Sequence, residues 1–173
     1  MNDIKIPFAF LEEHSIVLSA KEIDFAISRK LIDLEDLEKI VDASLTKYPN
    51  DKNLLEIALH ILLDGSYSNS HLQYLEIDYS GENRADGTIT SDDNFINIRW
   101  RYIILLWLFS NRNNDSIDYD RINTVYASFG YPSNMEKFVS YMPTSQENNK
   151  NSYQNILHNW KEYLDANSYL LNP

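Results

Sequence analysis

Cysteine is absent from the 173 residues, which excludes disulfides, thiolate catalysis and thiolate-held zinc or iron–sulfur centres. Glycine occurs four times and proline five, too few for a turn-rich all-β fold or a glycine-rich phosphate loop. Positive charge is scarce: 15 Lys and Arg stand against 26 Asp and Glu, a net charge of −11. Long apolar runs are missing too. The most apolar stretch, Trp100 to Phe109, is interrupted by Arg101 and falls well short of the roughly 20 residues a bilayer span needs. The opening MNDIKIPFAF lacks the basic flank and apolar core of a secretory signal. A cytoplasmic protein is expected, with no membrane and no nucleic acid as partner, because an acidic surface repels phosphate and anionic lipid alike.

The acidity is lopsided. Residues 1–93 hold 19 acids and 8 bases, whereas residues 94–173 hold 7 of each. Such a surface attracts cations and basic proteins and can accelerate their association by about 10–1000-fold.

Apolar spacing predicts an all-α chain: one domain over residues 1–173, an irregular, orthogonal bundle of eight or nine short helices. Pro7 to Glu13 forms a short turn or helix. Ser19-Ala-Lys-Glu22 is a capping box that starts a helix running to about Lys30. Asp33 is placed to cap a helix over 34–47, which Tyr48-Pro49-Asn50 stops. A helix over 51–63 is apolar on most of its circumference and is expected at the centre. Another covers 69–77, followed by a loop over 79–91. The stretch 93–110 is apolar on almost every side and is placed in the core, where Arg99 and Arg101 require a carboxylate or carbonyl partner. A helix then runs from Ser116 to about Ala127. Ser133-Asn-Met-Glu136 reads as a second capping box, ahead of the stripe Met135, Phe138, Val139 and Met142. Ser152 caps the last helix.

Few residue sets carry chemistry. Glu56, His60 and Asp64 share a helix face at i, i+4, i+8, but no further ligand is apparent, so they read as a solvated edge rather than a metal site. Residues 82–93 partly match a calcium-binding EF-hand loop, with Gly87 at the sharp turn. Arg84 sits where a coordinating oxygen is required and opposes a dication, so an Asp-Gly turn is the plainer reading. No nucleophile elbow, phosphate loop or dinucleotide fingerprint is present. No catalytic residue, metal or cofactor is assigned.

Glu35, Glu38 and Asp42 fall on one face of the 34–47 helix, with Glu35 expected to attract Lys39. With Asp86, Asp92 and Asp93 they are the candidate partner-binding acids. Tyr67, Tyr79 and Tyr119 lie off the apolar stripes and are the candidate interface aromatics. Trp100, Trp107 and Trp160 are expected in the core.

Three segments, Trp100-Arg-Tyr-Ile-Ile-Leu-Leu-Trp-Leu108, Val125-Tyr-Ala-Ser-Phe-Gly-Tyr-Pro132 and Phe138-Val-Ser-Tyr-Met-Pro143, together resemble a bacterial family of small proteins designated a domain of unknown function. Its members resemble proteins encoded beside secreted polymorphic toxins. The resemblance implies an immunity protein that binds and occludes a cognate, basic toxin without catalysis. A non-catalytic helical adaptor is the alternative reading, and a small metal- or calcium-dependent enzyme the third.

Overall fold

The computed structural model of the chain describes residues 4–64, 91–112, 119–139 and 152–173. Two compact units are formed, Asn2–Trp100 and Arg101–Leu171. Among the described residues all regular structure is helical, as the spacing predicts.

The first unit contains α1 (Phe8–Glu13), α2 (Ala20–Ser28), α3 (Leu37–Lys47), α4 (Lys52–Asp64) and residues 91–100 of α5 (Ser91–Ser110). An extended segment precedes α1, in which Ile4 and Ile6 are buried and Ile6 N–H donates to the Leu31 carbonyl at 2.8 Å. The capping box forms as expected. Ser19 Oγ accepts from Glu22 N–H at 3.4 Å, and the Glu22 carboxylate accepts from Ser19 N–H at 2.7 Å. Ile23, Phe25, Ala26 and Ile27 bury the inner face of α2. Asp51 starts α4 through its Oδ1, which accepts the Asn53 and Leu54 amides at 2.9 and 3.1 Å.

Two expectations for this unit require correction. The 34–47 segment is not one α-helix: Leu34–Asp36 is a separate 3-10 turn, and Asp33 makes no cap. Nor is α4 sunk in the core. Leu54 and Ile57 are buried, α3 and α2 packing against this helix, but Leu55, Leu59, Leu62 and Leu63 are exposed. One helix face suffices for those two neighbours, and the surplus leucines point outward.

Glycine scarcity leaves a mark on the helix ends. After α1, Ile16 N–H bonds the Leu11 carbonyl at 2.8 Å and Ser15 N–H the Glu12 carbonyl at 2.9 Å. After α2, Leu31 N–H bonds the Ala26 carbonyl at 2.8 Å and Lys30 N–H the Ile27 carbonyl at 3.0 Å. Both are Schellman motifs, which favour glycine at the left-handed position. Here Ser15 (φ 54°) and Lys30 (φ 57°) occupy it. A left-handed residue with a Cβ is strained by about 1–2 kcal/mol, partly offset by the chain entropy glycine would lose. Ser15→Gly and Lys30→Gly are each expected to raise the unfolding free energy by about 0.5–1 kcal/mol, read as a higher urea midpoint at constant slope. In α6 (Tyr119–Ser128) the same motif carries Gly130 at φ 76°.

The second unit contains residues 101–110 of α5, α6, a 3-10 turn over Ser133–Phe138, α7 (Ser152–Ala166) and a final 3-10 turn over Ser168–Leu170. Ser133 does not build the expected capping box. Pro132 takes the cap position, contributes no side-chain acceptor, and the turn remains 3-10. Met135, Phe138 and Val139 are nevertheless buried as the stripe requires, and α7 packs on this turn. Trp160 stacks on Phe138 at 6.2 Å and 8° and meets the edge of Phe109 at 5.1 Å. In α5 every residue from Arg99 to Leu105 is buried, both arginines included. Trp107 is half-buried rather than core.

Within this unit, burial pushes the Tyr102 phenol above its ordinary value, and the nearby Tyr163 and Asp165 add to the shift. A phenol that holds its proton more firmly when folded stabilises fully below the unfolded value near 10, and that stabilisation fades as pH rises toward the folded value. Tyr102→Phe is therefore expected to flatten the loss of melting temperature above about pH 10, leaving neutral-pH behaviour little changed.

Candidate functional site

The first unit sorts its acids into two groups. One group is engaged in structure. Asp33 pairs with Lys5 at 2.8 Å, and Lys5 also donates to the Ile32 carbonyl at 3.3 Å. Asp36 accepts the Phe8 N–H at 2.9 Å. That amide opens α1, whose cap residue Pro7 has no side-chain acceptor, so Asp36 caps a helix that starts 28 residues earlier. Lys39 approaches Asp36 at 3.6 Å, not Glu35 as the spacing suggests. The 3-10 turn accounts for the change, because it takes Glu35 out of helical register with Lys39.

Glu22 is the most engaged acid. Its Oε1 accepts from Arg99 at 2.5 Å with both side chains almost fully buried, 3% and 5% exposed. Arg99 also donates to the Val17 carbonyl at 3.1 Å, and the Trp100 indole donates to the Glu22 carbonyl at 3.0 Å. This fulfils the requirement for a partner inside the apolar helix. Arg101 instead reaches the Tyr163 hydroxyl at 3.4 Å.

The other group faces outward. Glu35, Glu38 and Asp42 are exposed and make no side-chain ion pair or hydrogen bond among the described residues. Glu38 and Asp42 lie one turn apart on α3, and Glu35 sits in the turn that leads into it. Like charges so placed destabilise a helix by a few tenths of a kcal/mol. The structure thus leaves three of the candidate acids exposed, two of them one turn apart on α3. Asp86 lies outside the described residues. Asp92 and Asp93 belong to the first turn of α5, where Asp93 is half-buried and its carbonyl accepts from Asn97 at 2.8 Å.

Glu35 also lines an open cleft of about 560 Å³. Lys5, Lys30, Asp33 and Glu35 line it together with Ile27, Ile32 and Leu34. The lining combines two ammonium groups and two carboxylates with aliphatic side chains, and Lys5 pairs with Asp33 across it at 2.8 Å.

Other candidates resolve less sharply. Tyr67, Tyr79 and most of the 82–93 loop lie outside the described residues, and Tyr119 is half-buried. Among the described residues no group of three His, Asp or Glu is placed to hold a metal ion, and no helix is long and apolar enough to cross a membrane. Sequence reading missed the outward leucines of α4 and the exposed Tyr131 and Tyr169, which are 62% and 64% exposed. The signal for the leucines was present: α4 has more apolar positions than one packed face can use.

No curated protein and no solved structure matches the chain. Residues 8–168 match the family described as an uncharacterized protein conserved in bacteria (DUF2247), and with nearly its whole length covered the chain belongs to that family.

Proposed function

We propose that the protein is a cytoplasmic, non-catalytic binding protein of the immunity type, which occludes a basic partner, a cognate toxin. The observation that carries this reading is the sorting of acids at the start of α3. Asp33 and Asp36 are held by Lys5, Lys39 and the Phe8 amide, whereas Glu35, Glu38 and Asp42 stand exposed. Helix stability alone does not favour Glu38 and Asp42 one turn apart. A basic partner would offset that repulsion and be steered by the acid excess of residues 1–93. Occlusion needs surface rather than reaction chemistry, about 800 Å² on each partner.

Co-expression with the product of an adjacent toxin-like gene should protect cells, and the two proteins should co-purify. Changing Glu35, Glu38 and Asp42 together to Lys should slow association at least tenfold and flatten its dependence on salt, with dissociation little altered. Association unchanged by the triple reversal would remove this face from the interface.

A further inference from the structure

Arg99 and Arg101 are both buried on α5, 3% and 7% exposed, yet the fold treats them differently. Arg99 has the Glu22 carboxylate at 2.5 Å and the Val17 carbonyl at 3.1 Å. Arg101 has one hydrogen bond: its Nε donates to the Tyr163 hydroxyl at 3.4 Å, longer than the roughly 2.7–3.2 Å of an ordinary N–H to O contact. Among the described residues no carboxylate pairs with Arg101 and no acceptor meets either Nη. A guanidinium carries five N–H donors and keeps its charge. Burying that charge beside a neutral hydroxyl alone is unfavourable, and methionine would bury the same stem without it.

The neighbouring groups add donors rather than acceptors. Tyr163, also 7% exposed, accepts from Arg101 and keeps its own O–H to donate. Tyr102 is buried, and burial first, then Tyr163 and Asp165, hold the proton on its phenol. One turn before Tyr163 on α7, the buried Trp160 indole N–H has no acceptor among the described residues. Arg101, Tyr102, Trp160 and Tyr163 all belong to the second unit, so nothing here depends on the acids of the first.

We propose that Arg101 and Tyr163 form a binding site for a small monocarboxylate, gripped by two parallel N–H donors of the guanidinium and by the Tyr163 O–H. Charge and shape select this ligand. One guanidinium neutralises one negative charge, and its planar fork matches the two oxygens of a carboxylate. A dianion such as phosphate would carry a surplus charge, which the exposed Asp165 carboxylate, near enough to act on Tyr102, would oppose. The exposure that Arg101 and Tyr163 retain keeps the pair in touch with solvent, from which a small anion can arrive.

The probe is sodium acetate, titrated into the full chain at constant ionic strength, with chloride, sulfate and inorganic phosphate run alongside. The arginine Nε–H resonance that disappears in Arg101→Met should move saturably with acetate, and sulfate and phosphate should bind about tenfold more weakly. Acetate should raise the melting temperature of the unaltered chain and not of Arg101→Met. Without acetate, Arg101→Met should melt no more than about 3 °C below the unaltered chain, because it removes a buried charge that lacks a partner. Arg101→Lys keeps the charge without the fork and should weaken acetate about tenfold. An Nε–H resonance indifferent to acetate overturns the proposal, as does acetate affinity unchanged in Arg101→Lys. Phosphate or sulfate bound more tightly than acetate overturns the ligand class. An Arg101→Met chain that melts more than about 3 °C lower without acetate also overturns it, since the chain itself would then supply the counter-charge.

Discussion

Glu22→Ala is expected to lower the unfolding free energy by about 3–5 kcal/mol, chiefly by leaving the Arg99 guanidinium buried without its carboxylate. Both side chains are nearly inaccessible and 2.5 Å apart, so water cannot replace the lost partner as it would at the surface. The same change removes the acceptor of Ser19 N–H at 2.7 Å, a capping loss of about 1 kcal/mol contained in that range. A domain of ordinary stability holds about 5–15 kcal/mol, so the variant should approach unfolding at 37 °C. Glu22→Gln should be milder, because an amide oxygen can still accept the Ser19 amide. Glu22→Gln/Arg99→Met should recover at least half of the alanine loss, since exchanging a whole buried pair for neutral groups is often close to neutral. Urea titration of the single and double variants gives the coupling. A loss below about 1 kcal/mol for Glu22→Ala, the level of an exposed pair, would show that this pair does not hold α5 to α2.

Trp160 provides the corresponding test in the second unit. Its side chain is 1% exposed, lies flat against Phe138 and meets the edge of Phe109. Trp160→Ala is expected to cost about 3–5 kcal/mol through lost apolar contact and the cavity left behind. Trp160→Phe should behave differently. The indole Nε1 has no hydrogen-bond partner among the described residues, and a buried donor left unpaired costs about 1–3 kcal/mol. Phenylalanine removes that donor while keeping a ring against Phe138, so the two effects oppose each other. The expected net change is within about 1 kcal/mol of zero. Thermal unfolding followed by near-ultraviolet circular dichroism separates the outcomes. A phenylalanine variant as damaged as the alanine one would mean that the indole nitrogen is satisfied and contributes to stability.

How far the sequence could be read follows from the range of each interaction. The Ser19 to Glu22 box was legible because both partners lie within one turn. So were the helix stops at Tyr48-Pro49 and Gly130. The requirement that Arg99 find a partner was also legible, although the partner's identity was not, because Glu22 lies 77 positions away. Asp33 was misassigned for the same reason. Local rules made Asp33 a cap and gave Lys39 to Glu35, whereas Lys5 and the Phe8 amide, both distant in sequence, claimed Asp33 and Asp36. The candidate site is the remainder of that competition. Glu35, Glu38 and Asp42 are outward because nothing in the fold takes them up; their spacing set them on one face but did not show that Asp33 and Asp36 would be the acids engaged.

By itself, then, the order of residues determined the helical class, most helix boundaries and the concentration of acid in the first half, because these depend on periodicity, capping and counting. Tertiary structure alone decided which acids are neutralised, which leucines of α4 remain in contact with solvent, and that Ser15 and Lys30 hold left-handed turns. Those outcomes depend on what each side chain meets across the fold, and burial has no local signature in a helix that is apolar on more than one face.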